Sequence, residues 1–313
     1  MPDINQNNNA MAHEFIKLLM NPNSQQGFII SNENSNLIVD SSNSQEFKFE
    51  NQIAYIFNPN FVEVEKPSSF HSQFGTGFRY HDHYIKDTEV FDYFAEPQSN
   101  ATQHENRRLH EAIFKKINKK SKTILDVGCG GAWVAKEAIQ KGFMVISMDI
   151  SSKNPVSAIK KYPSANHFGL VADVFNLPIK DETLDVIIAS EIMEHVTDPK
   201  KFVEILYSKL KPNGMLIITT PYNEKIEYHL CVHCNKPTPQ GAHLHVFNEQ
   251  NIGQLIPQGS AWQFEKMNNR YLTRLRTHIF LKYLPFAIWR LIDKTTSFFF
   301  PKQERLLIEI TRK

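Results

Sequence analysis

Gly128, Gly130 and Gly131, with Cys129 among them, follow a run at 123–127 (TILDV) that is apolar apart from its β-branched start and one acid, Asp126. Such a run, with lysines before it and glycines after it, suits a buried parallel strand that ends in a tight turn. Residues 132–139 (AWVAKEAI) then carry helical spacing, so the unit reads strand, glycine turn, helix. Without a Cβ at Gly128 and Gly130 the backbone can come close to a ligand. In open α/β sheets a turn at the carboxyl end of a strand is where nucleotide-like ligands sit. A second acid, Asp149, ends the next apolar run at 143–150 (FMVISMDI), placed to accept hydrogen bonds from two ribose hydroxyls.

Two cofactor chemistries compete for that turn. A dinucleotide site wants G-x-G-x-x-G; counted from Gly128, the third glycine position is Trp133, a side chain that blocks the approach of a pyrophosphate. S-adenosylmethionine has no phosphate, and needs a shorter turn with an acid just before it, as Asp126 is. The downstream residues keep that order. Asp173 closes a third short strand, where an adenine amino group can be held. Residues 184–190 (LDVIIAS) read as a fully buried fourth strand running into Glu191, Glu194 and His195. An amphipathic helix at 202–210, a loop at 211–214 (KPNG) and a strand at 215–220 (MLIITT) come next.

This series, over residues 104–222, resembles the class I S-adenosylmethionine-dependent methyltransferases, in particular the group that acts on small molecules and quinone-type lipids. The resemblance implies an α/β fold, a Rossmann-like seven-stranded sheet whose last strand is antiparallel. It implies cofactor contacts at Asp126, Gly128, Gly130, Asp149, Asp173, Val174 and Ser190. One departure is Ala132, where a glycine often stands, and it bears on the geometry of the loop.

Methyl transfer from a sulfonium is an in-line displacement, and alignment supplies most of its rate. A base is needed only when the acceptor still carries its proton. The candidate is His195, beside Glu194, at the mouth after the fourth strand, where a neutral imidazole can serve near pH 7; alternatively this run only starts a helix and packs the cofactor's side. The expected acceptor is a small molecule or a lipid- or quinone-like compound. A tRNA or protein methyltransferase and a non-catalytic cofactor-binding partner are the alternatives. No Asn-Pro-Pro-Tyr motif follows the fourth strand, which argues against methylation of base or glutamine amines.

The 313 residues suffice for a full core and a second small module, and 41% of them are hydrophobic. A net charge of +2 is no nucleic-acid signature. The amino terminus lacks a charged-then-apolar leader, and no apolar run reaches the roughly 18 residues that span a bilayer. Three cysteines make no disulfide framework, so the expected location is the cytoplasm.

Residues 1–10 are Asn-rich and read as a frayed end. A helix is expected at 13–20, then short alternating pieces at 27–30, 37–40, 46–49 and 53–57. This module, residues 10–60, resembles a degenerate Trm112-like domain. In the zinc-bearing members cysteines flank the first proline and recur before the last strand. Asn, Ser and Gln stand there in this chain, so no metal is expected in the module, whose relatives pair with a methyltransferase and cover its surface. An unrelated β-rich extension is the alternative. Residues 61–77 read as a linker and 78–313 as the methyltransferase domain. Within it, the aromatic and histidine-bearing segment around His81, His83 and Tyr84 would fold over the cofactor as a lid, or else the two histidines flank a solvated turn.

An insertion at 223–250 carries Cys231-x-x-Cys234 and then His243 and His245. Two thiolates at that spacing with a later imidazole suit a structural zinc, with His245 or His229 as fourth ligand. A free thiol pair suits them too. Four protein ligands would leave no open position, so such a zinc would pin a loop. Residues 278–300 are apolar and aromatic, interrupted by Pro285. From Lys266 to Lys302, eight basic residues face a single acid, Asp293. That pattern reads as a helix on a membrane surface or over a hydrophobic acceptor, or as an ordinary packed helix with a solvated basic side. Residues 306–311 (LLIEIT) read as the last, antiparallel edge strand.

Overall fold

The computed structural model describes residues 4–42, 45–57, 80–230, 235 and 237–313; the expected linker at 61–77 lies outside them. The chain starts with α1 (Ile4–Leu18) and a four-stranded meander, β1 (Phe28–Ile30), β2 (Leu37–Asp40), β3 (Glu46–Glu50) and β4 (Ile53–Tyr55). The helix reaches further back than the frayed end expected for residues 1–10, because adding turns to a packed, nucleated helix is cheap. α1 turns Phe15, Ile16 and the following Leu19 inward. Phe15 stacks on Phe168 with ring centroids 4.6 Å apart.

Next come α2 (Tyr80–Val90) and α3 (Asn100–Lys116), and then the alternating unit foreseen from the apolar runs. It comprises β5 (Thr123–Val127), α4 (Trp133–Ile139), β6 (Met144–Asp149), α5 (Lys153–Lys161), β7 (His167–Val171), β8 (Leu184–Ser190), α6 (Pro199–Lys209) and β9 (Leu210–Pro221). A small hairpin, β10 (Tyr228–Leu230) with β11 (Pro237–Pro239), precedes β12 (Ala261–Asn269). Three helices, α7 (Arg270–Arg274), α8 (His278–Leu281) and α9 (Phe286–Phe299), lead to β13 (Gln303–Thr311).

The strand order is β1-β2-β3-β4-β7-β6-β5-β8-β9-β13-β12. Its last seven members are the expected Rossmann-like sheet, with β5 to β9 parallel and β13 antiparallel to both neighbours. The amino-terminal strands join this sheet: β4 pairs in parallel with β7, Ala54 opposite Leu170, so the described residues form one sheet of eleven strands. Two expectations need correction. β13 is not an edge strand but lies between β9 and β12, because Leu306, Leu307 and Ile308 are three consecutive apolar residues, buried on both faces. The loop at 211–214 is taken up inside β9 as an irregularity, the register slipping between Leu184 opposite Leu210 and Val186 opposite Met215.

Alternate residues feed two cores. Leu125, Ile146 and Leu170 pack with α1 and α6 on one face; Ile124, Val145 and Val186 pack with α3, α4 and α9 on the other. Among the described residues no helix is long and apolar enough to cross a membrane.

Because α1 belongs to the first of these cores, Phe15→Ala should cost about 3–5 kcal/mol. Urea unfolding should show one transition moved to lower urea; a separate early transition would mean that the module unfolds on its own.

Candidate functional site

The carboxyl ends of β5, β6, β7 and β8 line up along one edge, and a cavity of about 640 Å³ opens over them, a size suited to a cofactor together with a small ligand. The glycine turn forms its floor. Gly128 has φ +66°, and a Cβ there would stand 2.3 Å from Cδ1 of Ile192; only glycine lets the turn pass beneath the loop after β8. A Cβ on Gly131 would stand 2.4 Å from the carbonyl oxygen of Tyr93, so the segment after α2 lies directly on the turn. Ala132 keeps a left-handed backbone, φ 57°, so the departure noted in the sequence costs some strain and leaves the loop its shape.

Of the seven expected cofactor residues, Gly128, Gly130, Asp149 and Val174 border the cavity. Asp149 is oriented by the backbone N–H of Ser151 (3.0 Å) and by Nδ2 of Asn154 (2.9 Å). Asp126 sits behind the floor, 2% exposed, and its Oδ2 has no hydrogen-bond partner among the described residues. Burial, and then the charge of Asp149, push its carboxyl up to about 8. An orphaned buried acceptor beside a glycine cradle fits a ligand that brings donors and positive charge. Asp173 caps the 3-10 turn Val174–Asn176 by accepting from the N–H of Phe175 (3.0 Å). Ser190 meets Thr219, hydroxyl to hydroxyl, at 2.9 Å.

α2 roofs the cavity, with His83, Tyr84, Asp87 and Thr88 along its border. The solvated turn considered for His81 and His83 is therefore replaced by a helix; the side chain of His81 lies outside the described residues. Thr88 meets the hydroxyl of Ser151 at 2.7 Å, Lys153 donates to the carbonyl of Thr88, and Tyr93 donates to Asp87.

The opposite wall is polar. After β8 the chain makes a single 3-10 turn, Met193–His195, and not the start of a longer helix. Glu191 accepts from Thr219 (3.0 Å) and pairs with Arg305 (3.1 Å). Glu194, 1% exposed, accepts from Thr220 (3.1 Å); burial and then the charge of Glu191 raise its carboxyl far above the usual carboxylate range. His195 borders the cavity, with Nε2 3.9 Å from Glu194 and Nδ1 3.4 Å from the carbonyl of Ala242. Burial, and then His243, press it down to about 4, so it is neutral at pH 7. The ring of His243 lies 4.8 Å from that of His195, and its Nδ1 is 2.6 Å from Glu224. Glu194, His195 and His243 thus each offer a ligand atom, all within 4.8 Å of one another.

His245 turns elsewhere, its Nε2 on the carbonyl of Val196 at 2.9 Å, and His229 is exposed on β10. Cys231 and Cys234 lie outside the described residues. Glu191 carries no role in the sequence reading, although the spacing Glu191-x-x-Glu194-His195 straight after a buried strand was the available signal; Gly241 and Ala242 enter that reading only as neighbours of the expected metal ligand His243, not as cavity lining.

A family model described as a methyltransferase domain matches residues 99–258, half of the chain. Ubiquinone biosynthesis O-methyltransferase, mitochondrial, from Bos taurus is 32% identical over 151 residues, 45% of this chain and 36% of that protein. Ubiquinone biosynthesis O-methyltransferase from Rickettsia conorii is 36% identical over 124 residues, 38% of this chain and 42% of that one. The chain thus spans less than half the length of these relatives. A solved S-adenosylmethionine dependent methyltransferase from Mesorhizobium loti is 16% identical, with a TM-score of 0.49 over 67% of this chain and 100% of that one, a likeness too loose to carry an argument.

Asp126 gives the site a pH signature. Its raised value means that the folded protein keeps a proton that the unfolded chain loses near pH 4, so its contribution to stability fades as pH rises toward about 8. A cationic ligand prefers the ionised carboxyl. Affinity for S-adenosylmethionine, measured by calorimetry, should climb by up to about tenfold per pH unit from 6 to 8. Asp126→Asn should flatten that climb, and an equal slope in the variant would remove Asp126 from the binding chemistry.

Proposed function

The chain belongs to the methyltransferase domain family, and on that footing we propose that it moves the methyl group of S-adenosylmethionine to a hydroxyl of a small, lipophilic, quinone-like acceptor. The observation that carries this reading is a single cavity lined both by Gly128, Gly130 and Asp149 and by Glu191 and His195. When bound, S-adenosylmethionine supplies a methyl on a sulfonium, with a neutral thioether as leaving group. Asp149 would take the ribose hydroxyls, Val174 and Asp173 the adenine, and Asp126 the positive end of the cofactor, while Ser190 would meet the cofactor from the end of β8. α2 excludes water above them. The acceptor oxygen gains the new C–O bond as its proton passes to His195, the neutral group that faces it. The names of the relatives support the acceptor class. A tRNA or protein acceptor would draw support only from the amino-terminal module. That module we read as Trm112-like and degenerate: Asn21, held by Asp40 (2.7 Å) and Gln45 (3.1 Å), closes by hydrogen bonds the corner that cysteines and zinc close elsewhere.

A second reading of the polar wall rests on Glu194, His195 and His243. Three convergent ligand atoms suit a divalent cation, which would sit beside the acceptor oxygen. The zinc set Cys231, Cys234, His243 and His245 competes for the same His243, which would have to leave Glu224 and His195. Metal analysis separates the two: loss of metal in Glu194→Gln with retention in Cys231→Ser favours the wall, and the reverse favours the knuckle.

The principal test is transfer of labelled methyl from S-adenosylmethionine into a whole-cell extract, followed by partition into organic solvent, RNA, protein and aqueous metabolites. Label should enter the organic phase and vanish with Asp149→Ala. His195→Ala should lower turnover by about 10²–10⁴-fold at unchanged cofactor affinity. Label in RNA or protein would overturn the acceptor assignment.

A further inference from the structure

α9 packs on the sheet through Phe286, Trp289 and Ile292, yet it keeps further large apolar side chains on its solvated face. Its inner face carries Trp289 and an ion pair, Arg290 with Asp293 at 2.5 Å. Arg290 also reaches Glu265 (2.6 Å), and Asp293 accepts from the backbone of Asn269 (2.8 Å). Its outer face carries Ile288, Leu291, Phe298 and Phe299, at helical spacing and 49%, 66%, 82% and 68% exposed. Phe280 and Tyr283, just before the helix, are each 76% exposed. The helix packs on the sheet, as one reading of the sequence has it, but its solvated side is apolar as well as basic.

The charges along this stretch of chain are nearly all of one sign. Between residues 270 and 302 the only acid is Asp293, buried and paired. Arg274, Arg276, Lys282, Lys294 and Lys302 are exposed, and none appears in an ion pair among the described residues. An exposed apolar patch of this extent marks an interaction surface. Uncompensated positive charge around it says which kind, because a protein groove would have to bury these cations, whereas anionic head groups lie at the depth where they emerge.

We propose that α9 and the turn before it seat the protein on an anionic membrane surface, with Leu291, Phe298 and Phe299 entering the boundary between head groups and acyl chains. The topology gives the contact a purpose. Asn269 lies opposite Gln303, and Arg305 lies opposite Pro221 at the carboxyl end of β9. The excursion therefore leaves and re-enters the sheet at the end where the cavity opens. If the acceptor is lipophilic, it can enter from the bilayer; the membrane contact itself does not depend on that reading.

Cosedimentation of the full chain with vesicles tests the proposal. Binding to phosphatidylglycerol–phosphatidylcholine vesicles should exceed binding to phosphatidylcholine alone by about tenfold or more, and should weaken with salt. Leu291→Ser/Phe298→Ser/Phe299→Ser should lose about tenfold or more on the anionic vesicles at an unchanged melting temperature, since these side chains are already in water. Lys282→Glu/Lys294→Glu should lose the preference for anionic lipid. No binding, equal binding to both lipids, or unchanged binding by the triple variant would overturn the proposal. So would a dimer in light scattering that the triple variant dissolves, because the patch would then be a contact between copies of the chain.

Discussion

Two carboxylates held in one desolvated space, Asp126 and Asp149, set the terms for the rest of this fold. Each stands at the carboxyl end of a central strand, each is raised by burial, and Asp149 raises Asp126 further. Burying an uncompensated charge is costly, so the surroundings must either neutralise the pair or supply donors. Asn154 and the turn at Ser151 do so for Asp149. No group among the described residues does so for Oδ2 of Asp126. The glycine turn, the roof formed by α2 and the loop after β8 are then the means of keeping that space closed to bulk water yet open to one ligand.

The sheet's two margins are handled differently. β7 would be the margin of the seven-stranded unit, a row of unpaired backbone groups of the kind that invites association. β4 pairs with it, and Phe15 reaches over β3 and β7 to stack on Phe168, so the amino-terminal strands hide the margin within the same core. At the other end β12 remains the margin, with Trp262 and Phe264 partly in solvent and stacked on each other at 6.1 Å.

What could be read from the sequence were the short-range features. TILDV and LDVIIAS appear as strands with the bounds expected, because continuous apolar runs between turn residues leave little choice. The glycine turn follows β5, and the two acids stand near the carboxyl ends of β5 and β6, because the apolar runs that set those strands stop there. Features made by distant residues were not legible. β4 finds β7 across more than a hundred residues, and His243 meets His195 across a gap of 48 positions. α2 is a helix of weak amphipathic pattern, and the place of its His83-to-Thr88 stretch on the roof depends on Ser151 and Lys153. The interior position of β13 was legible in principle, since three apolar residues in a row do not suit a half-exposed edge.

The helix α9 shows how a fold can keep an apolar face in water. Isolated burial of an Arg–Asp pair is a poor source of stability, because desolvation offsets much of the attraction. Here the pair is tied to more than itself: Arg290 also donates to the carbonyl of Lys266 (2.9 Å), and Asp293 receives the N–H of Asn269 at the end of β12. Arg108 reinforces this from α3, donating to the carbonyls of Leu281 (2.6 Å) and Leu284 (2.7 Å). These bonds fix which side of α9 faces the sheet, so its outer residues are free of any packing role. The chain then passes from Phe300 into β13 and on to Arg305, whose guanidinium holds Glu191 in the cavity wall at 3.1 Å. The apolar outer face of α9 and the polar wall of the cavity are thus joined by one short stretch of chain.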